Sequence, residues 1–303
     1  MTQLLNALPG ALAQGLIWGV MAIGVYITYK VLDIADLTVD GSICTGAAVC
    51  TMLLGGQSPW LALLCAVLAG VLAGAVAGLL HVGLGIPPIL AGILTQMVLW
   101  SVNLKLLGKA NQALPARTTP VLLSQMNVGG ALPVLLGFCV VLVALLVLFF
   151  GTELGCALRA TGCNPVMSRA QGVNTWLMKV VGLALSNGVV ALSGALLCQY
   201  QGYTDVNMGR GAVVIGLAAV VIGQAVLGRR GGRIAVQLGG VILGAVIYYI
   251  VYQVIIFAGF DTDLLKMFSA VVVAVFLGAP HVKAQLKAHS RSKKGDSGHA
   301  ENE

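Results

Sequence analysis

The sequence predicts an all-α, polytopic membrane protein with about nine spanning helices, and three observations carry that prediction. Apolar residues make up 58% of the 303 positions and charged residues 9%, where a soluble chain carries about 25% charged. The charges are crowded: eight of the 27 lie in residues 281–303. Between the others run long charge-free stretches, of which Gly41–Leu104, at 64 residues, has room for about three helices of roughly 20 residues each. These runs are continuous and do not alternate with period two, which excludes a porin-like barrel.

Spans are expected at 11–30, 41–55, 60–80, 88–107, 130–150, 176–198, 212–228, 235–257 and 264–279. The first is the charge-free stretch ahead of Lys30, and the second follows a polar break. The third carries Gly70, Gly74 and Gly78 beside Ala69, Ala73 and Ala77. That face lets backbones approach closely, either inside one subunit or at a dimer seam. Pro87-Pro88 suits the start of the fourth helix, where a missing N–H costs nothing. No internal repeat is visible along the chain, and inverted repeats diverge too far for one sequence to exclude them. Residues 1–280 form the transmembrane domain and residues 281–303 a polar tail that mixes both signs of charge.

The loops orient the chain. Arg159 and Arg169 precede the sixth span and Lys179 lies at its start, Arg229, Arg230 and Arg233 separate the seventh and eighth, and five Lys/Arg follow the ninth. Positive loops stay cytoplasmic, so the N-terminus belongs outside and the C-terminus inside the cell (inner) membrane. The loop with Lys105, Lys109 and Arg117 runs against this rule, because it falls outside. The net charge of +7 is thus a mark of topology in a bilayer and not of a nucleic-acid partner. Seven cysteines, without metal-ligand spacing and mostly in apolar runs, read as small hydrophobes.

Two polar stretches carry chemistry. Tyr29–Ser42 places Asp33, Asp36 and Asp40 between the first two apolar runs, with Thr38 and Ser42 beside them. Carboxylates at membrane depth mark protein interiors or water-filled paths, so Asp36, Thr38, Asp40 and Ser42 are pathway candidates. A cytoplasmic turn with Asp40 capping the helix that follows it is the equal alternative. The second stretch, 151–175, is the longest internal positive loop. Within it Asn164 as cap, Pro165 at the first helical position and Gly172 as stop predict a short helix over 164–171. A small helix between two spans is a place for something to dock. Among the polar residues inside spans (Gln96, Ser101, Asn103, Ser186, Asn187, Ser193, Gln224, Gln237 and Gln253), Ser186-Asn187 stands out by its central position. It either lines the path or bonds neighbouring helices.

At these stretches the sequence resembles the branched-chain-amino-acid-type permeases of ATP-binding-cassette importers. Ile34–Gly41 is similar to the family's first-half signature. Leu158-Arg-Ala-Thr-Gly-Cys-Asn-Pro165, running to Gly172-Val-Asn-Thr175, is similar to its second-half signature, and Ala218–Gln224 is similar to a third, with Gly223-Gln224 where the family has Gly-Gly. Leu37-Thr-Val-Asp-Gly-Ser42 is closest to the subgroup suspected of taking up tryptophan, tyrosine and related compounds. The resemblance implies a type II importer permease that works as a dimer: a second permease subunit, two ATPase subunits and an extracytoplasmic binding protein complete the importer. It also implies that Arg159, Ala160, Thr161, Gly162, Asn164, Pro165, Gly172 and Asn174 couple the permease to its ATPases. No Gly-x-x-x-x-Gly-Lys-Ser/Thr run occurs in the chain. The chain is therefore not an enzyme and holds no cofactor, and ATP and Mg belong to the partner ATPase. An ion-coupled secondary transporter would need ionisable groups near the midplane, and an intramembrane enzyme a convergent set of His, Asp, Glu or Ser. Both fit less well. The same importer class carrying nucleosides or sugars is the alternative for the cargo, and uncharged lining favours an amino acid or similar small metabolite.

Overall fold

The computed structural model describes residues 2–114, 121–227 and 233–257, with isolated helical positions between 267 and 278. The chain divides into two compact units, Met1–Val254 and Ile255–Glu303, and the first carries all that follows. Its helices are α1 (Thr2–Tyr26, continued by a π-helical turn Ile27–Val31), α2 (Val39–Leu54), α3 (Pro59–Gly83), α4 (Pro88–Leu107), α5 (Val128–Gly151), α6 (Glu153–Cys163), α7 (Pro165–Ala170), α8 (Thr175–Gln201), α9 (Ala212–Leu227) and α10 (Ile234–Phe257).

Six helical stretches are long and apolar enough to cross a bilayer: Ala7–Val31, Pro59–Gly83, Pro88–Leu107, Gln125–Gly151, Thr175–Gln201 and Ile234–Phe257. Val39–Leu54 and Ala212–Leu227 are apolar but shorter. These eight coincide in sequence with eight of the nine expected spans, but at 41–55 and 212–228 the helices are too short to cross; the ninth, 264–279, lies outside the described residues apart from isolated positions. Two further features depart from expectation. The 151–175 loop contains a second helix, α6, and the all-α expectation meets one short antiparallel ribbon, β1 (Asn111–Ala113) paired with β2 (Tyr203–Asp205).

Helix α8 is the axis of this unit. Small residues let three helices press against it. Gly24 of α1 meets Val190 and the Ser186 carbonyl, Gly46 of α2 meets Ala191, and the glycine face of α3 meets α8 at Asn187 and Ala191 (Gly70), Leu183 (Gly74) and Val180 (Gly78). The α3 face therefore serves packing within one subunit. A Cβ on Gly194 would collide with the Ile43 carbonyl oxygen, so α2 and α8 touch backbone to backbone. Near Gly223, where the sequence departs from Gly-Gly, packing is equally close: Gly223 lies on the Gly240 carbonyl and Gly244 on that of Ala219, while Gln224 is exposed.

The contacts also give directions. Ile17 and Gly24 of α1 pair with Ser193 and Ser186, so α1 runs antiparallel to α8. Ser42 and Cys50 of α2 pair with Asn187 and Gln199, so α2 runs parallel to α8 and begins only halfway along it. Helix α9 begins at the same depth, since Gly209 rests on the Asp40 carbonyl and Ile43. At 16 residues each, α2 and α9 span about 24 Å, short of a hydrocarbon core of about 30 Å. The unit thus contains the same motif twice in opposite directions, a long helix, a break and a half-length helix: α1 to α2, and α8 to α9. This is the arrangement of inverted-topology repeats with discontinuous helices.

Candidate functional site

The first break, Leu32–Thr38, is non-helical, with Asp33 at φ 56°, and alternates buried and half-exposed or exposed positions, with Leu32, Ile34 and Asp36 turned inward. Non-helical backbone at this depth is tolerated where protein encloses it. Asp36 is 6% exposed. Its carboxylate accepts from the Thr38 amide at 2.8 Å and from Asn187 Nδ2 at 2.7 Å, and Asn187 Oδ1 accepts from Ser42 Oγ at 2.6 Å. Asn187 Nδ2 also reaches the Leu183 carbonyl at 3.0 Å. Asp36, Ser42 and Asn187 thus form one closed network that ties α2 and its break to the middle of α8. Thr38 stands beside it with a buried hydroxyl that has no hydrogen-bond partner among the described residues. Ser186 faces another way and donates to the Gly24 carbonyl of α1 at 2.8 Å. Asp40 does not cap α2, in whose first turn it lies. Its two carboxylate oxygens accept from the Gly211 and Val213 amides at 2.9 and 3.0 Å, so it caps α9, which favours a negative charge at its N-terminus.

The second break, Gly202–Gly211, returns from the ribbon to the start of α9. Beside it a cavity of about 620 Å³ opens between α2, α4 and this segment. Asp40 and Gly41 stand on its wall with Met97, Trp100, Asn103 and Arg210. Of the polar residues noted within spans, Gln96, Ser101 and Asn103 line it. Arg210 went unnoticed because a lone arginine after the sixth span reads as a loop charge.

At the end of α8 opposite the ribbon, the short helix of the 151–175 stretch forms where the sequence predicts it. Asn164 caps α7 through Oδ1, which accepts from the Val166 and Met167 amides at 3.1 and 3.0 Å; Pro165 starts the helix, and Gly172 leaves it at φ 83°. Asn174 caps α8 by accepting from the Leu177 amide at 3.2 Å. Val166 and Met167 are 77% and 59% exposed, so α7 turns an apolar edge outward. The other members sit in α6. Ala160 is exposed, Thr161 is buried and bonds the Ala157 carbonyl, and Gly162 presses on the Val31 carbonyl at the end of α1. Half-buried Arg159 folds back to donate to the Phe150 carbonyl at 3.2 Å, near the end of α5. Arg169 Nε donates to Thr175 Oγ1 at 2.7 Å and fastens α7 to the start of α8.

Residues 8–279 match the family model described as branched-chain amino acid transport system / permease component. A tyrosine transport system permease protein of Clostridioides difficile is 37% identical over 287 residues, 93% of this chain and 94% of that one. An uncharacterized protein of Rickettsia prowazekii is 32% identical over 91% of this chain and 98% of its own. The autoinducer 2 import system permease protein of Escherichia coli is 28% identical over 66% of this chain and 60% of its own. No solved structure matches.

Proposed function

The chain belongs to the permease family of branched-chain amino acid transport systems, and from that premise we propose that it passes an aromatic amino acid, tyrosine foremost, from an external binding protein to the cytoplasm as one half of a permease homodimer. As the permease component it is a non-catalytic, multi-pass membrane subunit; ATP is hydrolysed elsewhere. The observation that carries the cargo assignment is the 37% identity, over nearly the whole of both chains, to a protein named for tyrosine transport.

In this reading α7 sits in a groove of the partner ATPase with Val166 and Met167 as its apolar contacts. Closure of two ATPases displaces α7, and two attachments carry the displacement inward. Arg169 holds the start of α8, and Gly162 of α6 bears on the end of α1. Both α1 and α8 lead into the breaks, so a rigid-body shift at one end alters packing at mid-depth. Loop 151–175 and the tail are cytoplasmic, and the ribbon faces the binding protein. The positive loops support this side assignment, although Lys105 lies in the last turn of α4 and Lys109 just ahead of β1, at the ribbon end.

The deciding experiment is ATP-dependent uptake by vesicles holding permease, ATPase and binding protein, offered labelled tyrosine, tryptophan, leucine and a nucleoside. Saturable tyrosine uptake is expected. Uptake of the nucleoside alone would overturn the amino-acid reading and leave the importer class standing. Gly172→Asp, which forces a side chain into a positive-φ position at the end of α7, is expected to abolish ATPase co-purification while the membrane part stays folded; co-purification at the parental level would remove α7 as the docking site. A cysteine placed at Ser292 in a cysteine-free background should resist an impermeant reagent applied to intact cells.

A further inference from the structure

We propose that the cavity at the second break is a selectivity site for a small zwitterion with an aromatic side chain, in which Arg210 takes the solute's carboxylate and Asn103 a polar group elsewhere on it. The proposal rests on the importer reading and gives it a location within the subunit.

Four observations converge. The cavity, about 620 Å³, is the size of a small-molecule pocket and lies between the ribbon end of the subunit and the depth where α2 and α9 begin. A solute arriving at the ribbon would meet it first. On its wall Asn103 is fully buried, and neither its amide nitrogen nor its carbonyl oxygen has a partner among the described residues. Buried carboxamides without partners are rare and ask for an explanation. A bound polar group supplies one.

Arg210 makes no ion pair or side-chain hydrogen bond among the described residues, although Asp40 shares the cavity wall with it. Asp40 is already held by the Gly211 and Val213 amides. That leaves the guanidinium, whose planar fork matches a carboxylate in bidentate fashion, without a side-chain hydrogen bond or ion pair among the described residues. Asp40 keeps lone pairs beyond the two it has committed, and so offers an acceptor to an ammonium group. A solute carrying both charges fits this pair better than an anion, which Asp40 would repel, or a neutral sugar, which would leave Arg210 unused.

Trp100 and Met97 are 43% and 67% exposed on the same wall. Indole and thioether surfaces favour an aromatic ring by stacking and by sulfur contact.

The test uses the complete importer in vesicles with Arg210→Gln, Arg210→Lys and Asn103→Leu, and with Met97→Cys in a cysteine-free background for labelling. Arg210→Gln is expected to lower ATP-dependent tyrosine uptake about tenfold to a hundredfold, the weight of a charge-assisted pair, with partial recovery in Arg210→Lys. Asn103→Leu should depress tyrosine uptake more than phenylalanine uptake. Because either variant could lose uptake by misfolding, millimolar tyrosine must also slow maleimide labelling of Met97→Cys in the cysteine-free protein that keeps Arg210 and Asn103, while equimolar ribose does not. Parental uptake in Arg210→Gln, or labelling that tyrosine leaves unchanged, would overturn the proposal even if the parental importer moves tyrosine. A parental importer that moves a different zwitterion would shift the cargo assignment alone, and the same variants would then be scored on that solute. A parental importer that moves only a nucleoside or sugar would overturn the zwitterion site.

Discussion

The chain breaks at mid-depth twice, and the two breaks are filled in opposite ways. Between α1 and α2 the inward polar groups are consumed except the Thr38 hydroxyl: the Asp36 carboxylate, the Asn187 carboxamide and the Ser42 hydroxyl close on one another. Among the described residues, Arg210 between α8 and α9 makes no side-chain hydrogen bond or ion pair, and across the cavity the Asn103 carboxamide has no partner. The first break is built as a lock that fixes α2 to α8. The second is built as an opening, held in shape by Asp40, which reaches from the first turn of α2 to cap α9. One motif used twice has thus diverged into a rigid half and a receptive half, and the capping carboxylate joins them.

Asn187→Leu strikes the lock and carries the largest expected effect. It strands a buried carboxylate and the Ser42 hydroxyl, and is expected to cost about 3 kcal/mol, read as a lowered unfolding midpoint of the detergent-solubilised complex. An unchanged midpoint would mean that water or lipid headgroups already satisfy Asp36, and the contrast between the breaks would fail. Asp40→Ala removes a cap and should cost about 1 kcal/mol, with greater accessibility of a cysteine placed at Val213 as its local signature. Ser186→Ala removes one ordinary interhelical bond to Gly24, expected at about 0.6 kcal/mol. If it costs as much as Asn187→Leu, the network has no special weight.

How much of this was legible depended on how far apart the partners lie. Helix α7 was readable because its signals are local: Asn164, Pro165 and Gly172 act within one turn of themselves. The glycine face of α3 was readable as a face but not as a partner to α8, since Gly70 and Asn187 are joined only by the fold. Asp40 was readable as a cap, yet of the wrong helix, because its amide partners lie 171 and 173 residues away. Helix α6 was missed because Gly155 and Gly162 weaken an isolated helix by about 1 kcal/mol each; here both are required, pressed on Phe149–Phe150 and on Val31. The ribbon was missed because Asn111–Ala113 and Tyr203–Asp205 are too short to show a period. Arg210 was discounted for a physical reason, that loop charge in a membrane protein ordinarily reports topology.

The most direct measurement sets one substitution in each break side by side: ATP-driven tyrosine uptake per folded complex in Asp36→Asn and in Arg210→Gln, with the unfolding midpoint of each. The account predicts that Asp36→Asn lowers the midpoint and keeps uptake per folded molecule near the parental value, whereas Arg210→Gln leaves the midpoint within about 0.5 kcal/mol of parental stability and loses uptake about tenfold or more. Uptake lost in a stable Asp36→Asn protein, together with parental uptake in Arg210→Gln, would reverse the two roles and contradict it.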